Sequence, residues 1–352
     1  MGRLQIQIPA ADGTSHGTLH VPDGRGPWPG VLMYPDAGGI REVFGQMGDR
    51  LAGLGYVTLI PDIYYRAGHW EPFDVATLFT DPAERARLGT LAGPLTNDRV
   101  IADALAYAGF LLARPDVAGT AIGTTGYCLG GRMSLVASAG LGGTAAAAAS
   151  FHGGGLAVVD NPASPHLAAA QIRAAVYVAA ATDDSSFTPE QAELLDQALT
   201  GAGVQHVIEV YPAGHGFAVP DNPTYDAAAA ERHWQALSRL YGERLGAAAA
   251  LCVGRVTTGA VMGTGRKGRV PIGARVRQAH LDHFCPGGVG VPVTDSGPIG
   301  LEPPPPDPAA MDGNAARAPG QHCSRCGQAI SARQDVRRHV SGGWVHEACP
   351  AA

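Results

Sequence analysis

The segment Gly126-Tyr127-Cys128-Leu129-Gly130-Gly131 sets a cysteine among glycines, after an apolar run and before a helical pattern. A G-x-nucleophile-x-G turn between strand and helix is a nucleophile elbow, here with Cys in the usual Ser position. Such a turn strains the backbone of the nucleophile, so residues on either side must lack bulk. The helix that follows offers unpaired N–H groups and a positive dipole end to a developing oxyanion. A free thiol is only a few per cent thiolate at neutral pH, so a base, a helix dipole or both must activate it. Two acids, Asp183 and Asp184, follow 55 and 56 residues later, just past the apolar run of Ala175–Ala180. Then His215 follows in Gly214-His215-Gly216-Phe217, past the next apolar run. Nucleophile, acid, histidine is the chain order that strand-end triads of this kind follow. The plainer alternative is a glycine-rich turn around a buried, inert cysteine.

The elements that must position these groups are legible in the first 245 residues. Leu4, Ile6 and Ile8 alternate with polar residues, as in a half-exposed strand, and Thr14–Val21 can pair with it across Ala11-Asp12-Gly13. Short apolar runs then read as strands buried on both faces: 30–34, 56–60, 121–126, 145–151, 175–180 and 204–211. Helical periodicity fills the gaps at 43–54, 97–113, 131–139, 189–200 and 225–245. Asn97 and Thr188 stand where N-caps belong, and Pro189 suits a first helical position. The expectation is an α/β fold with a doubly wound, mostly parallel sheet, which places Cys128, the acids and His215 at the carboxyl ends of strands.

The 352-residue chain is 45% apolar and 16% charged, enough for a sizeable core. Its net charge of −6 gives no overall signature of a nucleic-acid binder. The charge is uneven: residues 1–245 carry 14 basic and 24 acidic residues, residues 246–352 carry 11 and 7. Two pieces with different jobs are expected. No cationic start precedes a long apolar stretch, and the longest apolar run, 246–254, is far below the roughly 20 residues of a membrane-spanning helix. Six cysteines are too sparse for a disulfide scaffold. A cytoplasmic chain with reduced thiols and no membrane partner is the expectation.

Residues 1–245 resemble the dienelactone hydrolase family of α/β-hydrolases. The resemblance rests on GYCLGG, the strand-end acid in ATDDSSFTPE, YPAGHGFAVPDNPTYD, and Asp36 in VLMYPDAGG. It implies that Cys128 is the nucleophile, His215 its base and later the acid for the leaving group, and Asp184 the group orienting the imidazole. Asp183 is the alternative orienter; Asp184 is preferred because it lies three residues before Phe187. The N–H groups of Ala37 and Leu129 would form the oxyanion hole. A carboxylate at position 36, usually Glu in the family, would sit against the cysteine and govern its ionisation until substrate displaces it. The implied activity is cleavage of a small ester, lactone or thioester through an acyl-enzyme, with no catalytic cofactor. The other class of reading is a non-catalytic scaffold with the tail as its binding module.

One family feature is missing. Members acting on dienelactone carry an arginine four residues after the catalytic histidine, and here that position is Val219. Arg66, or else Arg85 or Arg87, could supply another cation. His152 in Phe151-His152-Gly153-Gly154 and the aromatic Tyr64 and Phe217 are candidate substrate contacts, with Tyr34 and Tyr65 as further apolar walls.

After Leu245 the alternation stops. Residues 246–320 read as a Gly/Pro-rich linker, including EPPPPDPAAMDGNAARAPG. Residues 321–352 hold Cys323-x2-Cys326, then nineteen residues, then His346-x2-Cys349. Two ligand pairs on tight turns suit a structural tetrahedral Zn²⁺, and the spacing resembles half of a LIM-type zinc finger. So short a segment has no core of its own, so metal binding would supply its folding energy.

Overall fold

The structure is a computed structural model and describes residues 2–246, 322–323, 336–338 and 344–346. The linker expectation for 247–320, and the proposed ligands Cys326 and Cys349, lie outside the described residues.

Eight strands form one sheet. They are β1 (Gly2–Ala10), β2 (Gly13–Val21), β3 (Trp28–Tyr34), β4 (Val57–Pro61), β5 (Val117–Tyr127), β6 (Ala145–Phe151), β7 (Ala175–Ala181) and β8 (His206–Tyr211). Their spatial order is β1-β2-β4-β3-β5-β6-β7-β8. β1 and β2 form an antiparallel hairpin in the register Gly2↔Val21 to Ala10↔Gly13, and β2 runs antiparallel to β4. From β4 to β8 every pairing is parallel.

The continuous apolar runs follow from coverage on both faces. Successive side chains of β3 point opposite ways. Leu32 and Tyr34 join a core with Val100 and Tyr107 of α3 (Asn97–Leu112), Met133 and Val136 of α4 (Leu129–Leu141), and Leu195 and Leu199 of α5 (Pro189–Gly201). Val31 and Met33 join the opposite core with Phe44, Met47 and Leu51 of α1 (Glu42–Gly53), and Trp234, Leu237 and Tyr241 of α6 (Ala227–Arg244). In β6 the middle alanines are fully buried. Their small side chains let helices lie close on each face of the sheet's centre.

The chain departs from expectation at two helix starts. Thr96, not Asn97, caps α3 by accepting the Arg99 N–H, while the Asn97 amide donates to the Ala163 carbonyl. Thr188 does cap α5. A further helix, α2 (Pro82–Ala92), buries no residue and so has no apolar stripe to reveal it. Its start is written locally: Asp81 accepts the Ala83 N–H at 2.7 Å, with Pro82 in the first turn. Beyond the sheet, β9 (Val336–Arg338) pairs antiparallel with β10 (Trp344–His346). Among the described residues no helix is long and apolar enough to cross a membrane.

Candidate active site

Strand β5 ends at Tyr127 and α4 begins at Leu129, leaving Cys128 alone in the turn at φ 52°, ψ −116°. A non-glycine residue in this region is strained and persists only where its surroundings impose it. Here the Cys128 N–H donates to the Phe151 carbonyl at 3.1 Å, and the Cys128 carbonyl accepts from Gly131 at 3.0 Å. The flanking glycines are required by close approach. A Cβ on Gly126 would lie 2.0 Å from the Gly130 oxygen, and one on Gly130 would lie 2.2 Å from the Pro35 oxygen. The turn is therefore pressed against the loop after β3, and Cys128 remains partly exposed.

Asp184 and His215 lie just past β7 and β8. The His215 Nδ1 is 2.7 Å from Asp184 Oδ2. The other carboxylate oxygen of Asp184 accepts from the Ser186 N–H at 2.8 Å and its hydroxyl at 2.6 Å. The Asp184 side chain is 4% exposed, whereas Asp183 is exposed in a left-handed conformation (φ 54°). Burial works against the Asp184 charge, but hydrogen bonds from His215 and Ser186 outweigh it and hold the carboxyl below its usual range. Burial likewise opposes the charged His215 ring, yet hydrogen bonding to Asp184 and to the Cys128 thiol carries its pKa up to about 10. The His215 backbone is pinned in turn, since Thr224 Oγ1 donates to its carbonyl.

The loop after β3 carries Asp36 and Ala37. Tyr64, buried, donates its hydroxyl to the Ala37 carbonyl at 2.8 Å. Leu129 is the first residue of α4, where backbone N–H groups have no partner within the helix. Asp36 has partners that the sequence did not suggest. Oδ1 accepts from Gly38 N–H at 2.8 Å and Arg41 Nη1 at 2.7 Å, and Oδ2 accepts from Arg41 Nη2 at 3.0 Å. The carboxylate expected to sit against the thiol is thus also paired with a guanidinium.

Several expected substrate contacts are placed elsewhere. Arg66 is no free cation: its Nε donates to Asp12 and its two terminal nitrogens grip Asp103 at 2.7 and 2.8 Å. Its side chain is 9% exposed and serves that ion-pair network. Arg87 pairs with Glu84 and lies over the Phe73 ring, and Arg85 is exposed. Phe217 is fully buried, stacked on Tyr211 and edge-on to His152. Tyr64 braces the Ala37 loop from within, and His152 is buried beside His215. Among the described residues no group of three or more side chains could hold a metal ion.

Sequence reasoning missed Ser186, Arg41 and Asp221. Asp184-Ser185-Ser186 could have been read as a turn in which an aspartate accepts from the residue two on. The pairing of Arg41 with Asp221 spans 180 residues and has no local signal.

A mostly parallel eight-stranded sheet in this order, with helices on both faces, is the α/β-hydrolase fold. The dienelactone hydrolase family model matches residues 16–245, and the chain belongs to that family. It is similar to a protein of Escherichia coli K12 provisionally named carboxymethylenebutenolidase, 30% identical over 214 residues, covering 60% of this chain and 75% of that one. A carboxymethylenebutenolidase of Pseudomonas sp. strain P51 is 28% identical, covering 64% of this chain and 88% of that one. Among solved structures, a dienelactone hydrolase-like promiscuous phosphotriesterase from metagenomic libraries superposes with a TM-score of 0.57 at 26% identity. It covers 70% of this chain and all of that one.

Proposed function

We propose that this family hydrolase cleaves a small ester or lactone by nucleophilic catalysis, with Cys128 as the attacking group. The observation that carries this reading is the His215 ring, held by Asp184 at 2.7 Å, with a proton affinity that Cys128 helps to raise. The thiolate attacks the substrate carbonyl carbon, and the resulting oxyanion accepts from the N–H groups of Ala37 and Leu129. Collapse breaks the bond to the leaving oxygen, which takes a proton from His215 and leaves a thioester on Cys128. The charge of Cys128 is one of the causes that raise the proton affinity of His215. Acylation removes that charge, so the ring releases its proton when the leaving group needs one. Now neutral, it accepts a proton from the attacking water. Collapse of the second intermediate expels the thiolate and frees the carboxylic acid. The chemistry needs no cofactor.

Val219, at the place of the family's carboxylate-gripping arginine, is fully buried. A substrate carboxylate finds no cation at that position. The test is a panel of p-nitrophenyl acetate, an enol-lactone and a phosphotriester. Turnover of an ester or lactone by the parent, abolished in Cys128→Ala and cut about 10³-fold in His215→Asn, supports the reading. Unchanged hydrolysis by Cys128→Ala overturns it.

A structural zinc in the tail is a separate proposal. Cys323 is buried, and β9 and β10, which pair antiparallel, fall between Cys326 and Cys349 in the sequence, with His346 closing β10. About one zinc per chain, lost in a Cys323→Ser/Cys326→Ser variant, supports it. A metal-free chain with unchanged protease resistance across 321–352 refutes it.

A further inference from the structure

Arg41 joins the two loops on which the candidate chemistry depends. It reaches back to Asp36 with both terminal nitrogens, and outward to Asp221 through Nε at 2.7 Å and Nη2 at 2.9 Å. Asp36 adjoins Ala37, the candidate oxyanion donor. Asp221 lies six residues beyond His215 on the loop after β8. The Arg41 side chain is 10% exposed, that of Asp36 7% and that of Asp221 36%. The guanidinium also lies over the Phe44 ring, 5.1 Å from its centroid. Burial works against its charge, but the two carboxylates outweigh that.

Tyr34, the last residue of β3, is paired with Gly126 of β5, so the loop that carries Asp36 and the turn that carries Cys128 leave the sheet from adjacent strands at its carboxyl edge. The charges of Asp36 and Cys128 both act on the Tyr64 hydroxyl. His215 couples to Cys128 and to Asp184, and the Tyr64 hydroxyl couples to Cys128, Asp36, Asp62 and Arg41. A buried carboxylate beside a thiol opposes thiolate formation unless a cation neutralises it.

We propose that Arg41 is a positioning residue that neutralises Asp36 and ties its loop to the His215 loop, so that Cys128 is ready to attack before substrate arrives. The proposal rests on the reading of Cys128 as nucleophile. It differs from displacement of a free carboxylate by substrate, because here the counter-charge is built into the resting protein. A planar guanidinium suits the task, since one fork serves two carboxylates at once.

The test is the rate at which iodoacetamide labels Cys128 across pH, followed by mass spectrometry of the peptide containing Cys128 in the full chain. Arg41→Met slows labelling at pH 7 by about tenfold, the factor of one pH unit in ionisation, and displaces the curve to higher pH. Arg41→Met/Asp36→Asn brings the rate back to within about twofold of the parent, because no uncompensated carboxylate remains. Asp221→Asn keeps the Arg41–Asp36 pair, leaves the labelling curve in place and lowers kcat on the model ester without a matching change in KM. Should Arg41→Met fail to fold, Asp36→Asn alone decides: it labels at least as fast as the parent. Parent-like labelling of folded Arg41→Met, no recovery in the double variant, or slower labelling of Asp36→Asn overturns the proposal. Hydrolysis surviving in Cys128→Ala would instead defeat the nucleophile reading, which the labelling experiment does not measure.

Discussion

The ring of His152 stands edge-on to the ring of His215, with centroids 5.2 Å apart and planes at 65°. Among the described residues neither nitrogen of His152 reaches a hydrogen-bonding partner beyond its own backbone, and the residue is 1% exposed. Burial, with His215 beside it, pushes its pKa well down, so it packs as a neutral ring. Phe217 meets its other side at 5.0 Å. His152→Phe replaces an unpartnered polar ring with an apolar one of similar size, and that exchange costs little or stabilises. The expected thermal midpoint equals or exceeds the parent's, while ester hydrolysis falls by less than about threefold because no proton path is lost. A marked drop in midpoint by calorimetry would show that the nitrogens serve a bond this packing does not include.

The two adjacent acids separate cleanly. Asp184→Asn removes the charge that orients and sustains the His215 imidazolium, and kcat falls by about 10³ with little change in KM. Asp183→Asn, on an exposed side chain, leaves kcat within about twofold. Ser186→Ala removes one hydroxyl bond to Asp184, an effect of about 1 kcal/mol, or near fivefold in rate. Steady-state kinetics on the three variants checks the ranking, and equal losses for Asp183 and Asp184 would contradict it.

Backbone strain at Cys128 has a direct readout. At φ 52° and ψ −116° a glycine is at ease and an alanine is not. Cys128→Gly is therefore expected to be more stable to urea than Cys128→Ala, by about 1 kcal/mol, reversing the ordinary preference for alanine. Both lose hydrolysis. If the alanine variant is the more stable, the turn carries no such strain.

The His215 proton links folding to pH. Its affinity is raised from an ordinary 6.5 to about 10 in the folded chain. The folded state thus keeps a proton that the unfolded chain gives up above about pH 6.5. The stabilisation is fully present below that pH and is lost as pH rises toward 10. The thermal midpoint of the parent should fall more steeply between pH 7 and pH 10 than that of His215→Gln. Parallel slopes would mean that the ring holds no such extra proton.

Much was readable from local pattern because its causes are local. The parallel strands announce themselves as apolar runs since helices cover both faces, and Thr188 caps α5 through a contact three residues away. The elbow is legible because Gly126 and Gly130 stand where a Cβ would strike backbone. Helix α2 escaped notice because it buries nothing, and Arg66 was misjudged because its partners Asp12 and Asp103 lie 54 and 37 residues away.

The order of residues along the chain determined the α/β alternation, the strained cysteine turn and the succession of cysteine, acid and histidine, since each depends on neighbours within a few positions. Only the folded sheet set Asp184 and not Asp183 against His215, turned Asp36 toward Arg41, and brought Asp221 to the same guanidinium. Charges are paired by distance in space, and strand register, not sequence separation, sets that distance.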